Sequence, residues 1–190
     1  MAVATKLWTI ADLEAMEGDG ARYELLRGEL VEMPGAKFQH WYVVGRLLRL
    51  LADFVELHGL GAVGNTGAFA LRRDPDSLLI PDVAFVRSDR IPPDDADWDI
   101  YIGAPDCVFE VVSPSDSAPD VHDKTIEYLE ASVKVVVVVW PRSQSVSVHR
   151  PAGDIREFKM GDVLELDDVL PGFRLPISEI FRRIGPSSGD

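Results

Sequence analysis

Residues 135–140 read Val-Val-Val-Val-Val-Trp, with no polar residue and no alternation. A strand with one wet face alternates apolar and polar side chains, because successive side chains point to opposite faces. An unbroken β-branched run instead predicts a central strand buried on both faces, as in the covered sheet of an α/β protein. Helices must then cover that sheet. The longest one predicted spans residues 39–58, where Val43, Val44, Leu47, Leu48, Leu51, Phe54 and Val55 recur at helical spacing. A second helix is predicted over 121–131, after the turn SPSDSAPD. Thr9 followed by Asp12 marks a short first helix, and LPISEIFRRI reads as a last one.

Further strands are predicted in YELLRGELVEM, turning at Arg27-Gly28, and over 61–71, 78–86 and 107–112. Residues 145–149 and 155–158 form a closing hairpin. The stretch SDRIPPDDADWDIYIGAP reads as an acidic, proline-rich surface loop. Its aspartates imitate a calcium loop, but Ile100 stands where that loop needs glycine. One mixed sheet flanked by helices is expected, in a single domain over residues 1–184, with 185–190 a disordered tail.

At 190 residues the chain can bury a sizeable core. No apolar run approaches the roughly 20 residues of a membrane span. A lone cysteine, Cys107, excludes an internal disulfide and fits a reducing cytoplasm. The net charge of -13 argues against general polyanion binding. It leaves room for a nucleic-acid enzyme, since metal ions neutralise carboxylates locally. Arg46, Arg49, Arg72, Arg73, Arg87 and Arg90 are candidates for a basic face, or else scattered solvated charges.

Asp82 and Glu110 lie within apolar runs, LLIPDVAFV and CVFEVVS, and Lys124 lies on the helix that follows. An ionised carboxylate in an apolar strand is costly unless a cation or hydrogen bonds compensate it. If Ile80, Asp82 and Ala84 share one strand face, and Val108, Glu110 and Val112 another, the two acids can meet at one hard cation. The alternative is that Asp82 caps a turn after Pro81 and Glu110 pairs with an arginine. Spacing does not choose between them. His40 opens the long helix, as a helix-start or core residue or as a phosphate contact or general base. The remaining histidines show no zinc-ligand spacing.

Four blocks in order, YELLRGELVEMPG with a later histidine, PDVAFV, APDCVFEVVSPSDS and DKTIEYLEASV, resemble the Uma-two family. That is a bacterial family of the restriction-endonuclease-like PD-(D/E)XK superfamily, and the resemblance runs from Trp8 to Phe181. It implies a restriction-endonuclease-like α/β fold. It also implies a magnesium-dependent DNA endonuclease, with manganese an alternative metal. Asp82, Glu110 and the carbonyl of Val111 would hold the metal, and Glu24 would complete the acidic site. The superfamily lysine would fall at position 112, where this chain has Val112; by the resemblance, Lys124 replaces it. Tyr128, four residues on, shares its helix face. Ser132 and Trp140 also depart from the family, where glycine and aspartate are usual. Cutting both strands would need two sites, so a homodimer or larger assembly is expected. The alternative is a catalytically inactive module for binding or assembly, which the net charge and Val112 both favour.

Overall fold

The computed structural model describes residues 6–16, 21–93 and 99–182. The first half contains helix α1 (Ile10–Glu14), strands β1 (Tyr23–Leu26) and β2 (Glu29–Glu32), helix α2 (Phe38–Leu57), and strands β3 (Gly61–Gly64), β4 (Ala68–Arg72), β5 (Ser77–Leu79) and β6 (Val83–Arg87). Then come β7 (Ile100–Ile102), β8 (Cys107–Val111), helix α3 (Ala118–Glu130), β9 (Val135–Trp140), β10 (Ser145–His149) and β11 (Ile155–Phe158). A small hairpin of β12 (Val163–Glu165) and β13 (Arg174–Pro176) leads into helix α4 (Ile177–Phe181).

The valine run is an interior strand of the larger sheet, whose order is β11-β10-β9-β8-β6-β3. Alternate valines serve two cores. Val135, Val137 and Val139 pack with Val43, Leu47, Leu51 and Val55 of α2, while Val136 and Val138 pack with Tyr128 of α3. Strands β8 and β9 run parallel, joined through α3, and the other pairs of this sheet are antiparallel. A second sheet has the order β2-β1-β5-β4-β7, with β7 parallel to β4. The fold is thus α/β with helix-flanked mixed sheets, as expected, but with more than one sheet.

Local signals explain the element ends. The β1–β2 hairpin turns at Arg27 and Gly28, both at positive φ (52° and 79°), the conformation of a tight two-residue hairpin turn. Thr9 with Asp12, and Ser117 with Asp120, each form a reciprocal capping box. The second box starts α3 at Ala118, three residues before the apolar periodicity shows. The predicted hairpin of β10 and β11 is present.

Three expectations need correction. Residues 61–71 make two strands in different sheets, β3 and β4, not one. Residues 78–86 likewise divide into β5 and β6, interrupted at Ile80-Pro81-Asp82 where the chain crosses from one sheet to the other. Proline cannot donate to a ladder, so the run breaks there despite its apolar character. Asp82 therefore precedes β6 and shares no strand face with Ile80 and Ala84. The acidic loop is also not loop throughout, since Ile100–Ile102 adds a strand at the edge of the second sheet. Its residues 94–98, which include Asp95 and Asp97 of the calcium-like run, and the tail 185–190 lie outside the described residues. No described helix is long and apolar enough to cross a membrane.

Candidate active site

Glu110 is the fourth residue of β8 and points to the α3 side, as Val108 does. The β6–β8 ladder ends with Val83 opposite Phe109, so Asp82 and Glu110 lie one rung beyond its last pair. The amide of Val111 donates to Asp82 Oδ2 at 2.8 Å, which closes that end of the ladder through a side chain. His40, in the first turn of α2, meets the same oxygen through Nε2 at 3.1 Å. The hydrogen bond to Asp82 raises the His40 pKa against the opposing effect of burial.

Glu24 arrives from β1, in the other sheet, and is 1% exposed. Its Oε1 accepts from the amide of Ile80 at 2.8 Å, and its Oε2 lies 2.7 Å from Lys124 Nζ. The same ammonium is 3.9 Å from Glu110 Oε1. One turn further along α3, the fully buried Tyr128 donates its hydroxyl to that oxygen at 2.7 Å. Oδ1 of Asp82 and Oε2 of Glu110 accept no hydrogen bond from another described residue.

Burial raises the Glu110 carboxyl to a pKa of about 8, with Asp82 and Glu24 adding repulsion and Lys124 pulling the other way. Burial works against the Lys124 ammonium, but Glu110 and Glu24 outweigh it and hold its pKa above the ordinary lysine value. These groups line a cleft of about 400 Å³ that also carries Glu32, Asp116 and Asp120. Among the described residues Lys124 is its only cation.

Every residue predicted for the site, Glu24, Asp82, Glu110, Val111 and Lys124, thus borders one cleft, although Asp82 reaches it from a junction. His40 joins them through Asp82, a contact between residues 42 apart that spacing could not reveal. The basic face does not form. Arg46 is held by Glu179, Arg72 by Glu127 and Glu130, Arg73 by Asp76, Arg87 by Asp89 and Arg90 by Asp106. Arg49 alone of the six is exposed without such a partner among the described residues.

The residues fit a hard cation. Among the described residues no three of histidine, cysteine, aspartate and glutamate close around one point. An ion here would take the two open oxygens of Asp82 and Glu110, the backbone at Val111 and water. Few carboxylates and several waters is the coordination magnesium favours.

A family model described as "Uma2: Putative restriction endonuclease" matches residues 10–178, most of the chain and all of the site. The chain belongs to the Uma2 family. A solved structure from Anabaena variabilis, described as "a putative nuclease belonging to DUF820", is similar in fold. It has a TM-score of 0.81 at 18% identity, over 91% of this chain and 97% of that one. No curated protein matches. A shared fold does not fix the chemistry, which must be argued from this Uma2 chain's own residues.

Proposed function

We propose that this Uma2 chain is a magnesium-dependent endonuclease that hydrolyses phosphodiester bonds in DNA. One observation carries the reading: Glu24, Asp82, Glu110 and Lys124 come from four separate segments and converge on one cleft, with acids in excess. A fold gains no stability from crowding carboxylates, so a charge missing from the protein is the natural counterpart.

Held there, magnesium would polarise the phosphoryl oxygen and lower the pKa of a bound water. Asp82 is oriented for this by two donors on Oδ2, which leave Oδ1 toward the ion. Tyr128 does the same for Glu110 by occupying Oε1. Glu24 has no free role at the ion, because Ile80 and Lys124 take both its oxygens; it aims the ammonium. Lys124 then stands where charge develops on the phosphate and where an attacking water needs orienting. Val112, by contrast, offers no donor. Two such sites in a homodimer would cut both strands, and a cytoplasmic enzyme would keep Cys107 reduced.

The test is nicking of supercoiled plasmid and cutting of single-stranded DNA with magnesium or manganese. Wild type should nick, Glu110→Ala should not, and Lys124→Ala should lose about 100-fold to 1000-fold, the usual scale for one preorganised donor. Nicking that survives in both variants would place the chemistry elsewhere. The paired arginines and the net charge of -13 favour a second reading, a binding or assembly module without catalysis. Inactivity of the wild type at every metal concentration would select it.

A further inference from the structure

Beside the cleft a second recess of about 580 Å³ opens near the start of α2 and the β9–β10 turn, sharing Val112 and Asp116 with the cleft. The mechanism above uses none of its other walls. One is Trp140, which follows Val139, the ladder partner of Val111. The amide of Val112 donates to the Val139 carbonyl at 2.9 Å, so the end of β9 lies alongside position 112. The indole Nε1 donates to Ser147 Oγ at 3.1 Å, which fixes the ring as an apolar wall.

Two residues further on is Arg142, exposed and without a hydrogen bond or ion pair to any described residue. That is unusual in a chain with net charge -13. Among the described arginines only Arg22, Arg49 and Arg142 lack a partner, and only Arg142 borders the cleft or the recess. Gln39 and Ser113 add an amide and a hydroxyl. Asp116 does not close the passage onto Arg142, since its Oδ2 accepts from the Ser113 amide at 2.7 Å.

We infer that the recess is a substrate subsite holding the nucleotide next to the scissile phosphate, with Arg142 receiving its phosphate and Trp140 walling its apolar side. The inference rests on the nuclease reading and says how a strand is held. A polyanion entering the cleft meets a single cation already tied to Glu24. A second charge on the adjoining wall sets the strand's position without reading its sequence. A guanidinium is suited to this because its fork matches two phosphate oxygens.

The experiment compares wild type with Arg142→Glu and Arg49→Glu, the second making the same charge change elsewhere on the surface. Binding of a fluorescein-labelled single-stranded 12-mer is read by anisotropy in calcium. Manganese binding is read by electron paramagnetic resonance, and hydrolysis of bis-p-nitrophenyl phosphate reports on the cleft alone. Arg142→Glu should weaken oligonucleotide binding at least tenfold and Arg49→Glu less than twofold, with manganese binding and small-diester hydrolysis equal in all three. No loss in Arg142→Glu, an equal loss in Arg49→Glu, or a wild type that binds no oligonucleotide would each overturn the subsite. Failure of the nuclease reading shows separately, as a wild type that binds the oligonucleotide through Arg142 but neither holds manganese nor hydrolyses the small diester.

Discussion

Asp106 and Glu110 bracket the same strand, β8, in opposite electrostatic company. Asp106, 1% exposed, lies 3.0 Å from Arg90, 3.4 Å from Lys134 and 4.0 Å from Arg87, and its Oδ2 accepts from the Arg87 amide at 3.0 Å. Glu127 on α3 is built the same way, with Arg27 at 2.6 Å and Arg72 at 3.1 Å. At Asp106 the acid is outnumbered by bases, and at α3 two acids, Glu127 and Glu130, are matched by two arginines; in both places the charges tie distant segments together. At the other end of β8 the ratio reverses: Glu24 and Glu110 share Lys124, and the only base Asp82 meets among the described residues is the imidazole of His40. Glu24 at one end and Asp106 at the other are equally buried, each 1% exposed, so burial alone does not separate a structural carboxylate from one at the candidate site. The count of opposing charges does.

The largest effect should come from the compensated end. Asp106→Ala leaves three cations facing one another and the Arg87 amide without its acceptor, and should cost about 3 kcal/mol in urea denaturation. A cost below about 1 kcal/mol would break the comparison.

Next comes Glu110→Gln. The folded chain holds this proton up to about pH 8, while the unfolded chain releases it near 4.5. Stability without metal should therefore fall as pH rises between those values and stay low above them. The amide should flatten that slope and gain about 2 kcal/mol at pH 8, measured in chelator. Magnesium should raise the melting temperature of the wild type, and the amide should abolish that rise. A smaller change sharpens the picture: Tyr128→Phe removes the donor that commits Oε1, and should weaken manganese binding about tenfold at nearly unchanged melting temperature. Arg49→Ala, outside both clusters, should leave stability and metal binding unaltered.

Much of this was legible beforehand, for reasons that differ by residue. Val135–Val139 announced a covered strand because burial on both faces removes alternation. Glu110 stood out because its neighbours in sequence are its neighbours in the sheet. Lys124 stood out beside the two acids, but Glu24 needed family resemblance, since the contact that unites it with Lys124 spans 100 residues. The break at Pro81-Asp82 was hidden by apolar residues on either side, which serve two different sheets. The structural role of Asp106 is hidden in the sequence, because its cations come from positions 87, 90 and 134. The same blindness made Arg72 and Arg90 look available. Pairing partners of surface arginines are set by topology, and one chain read linearly does not display it.

The crossing at Pro81-Asp82 has a kinetic consequence. Glu24 belongs to the five-stranded sheet, whereas Asp82 and Glu110 belong to the six-stranded one. A chain that has formed only its larger sheet would bring Asp82 and Glu110 together but leave the lysine unaimed. Complete assembly of this centre waits on contacts distant in sequence, which are slow to form because loop closure must precede them. On the nuclease reading proposed above, a molecule lacking those contacts would hold the two acids without an aimed lysine and would not cut.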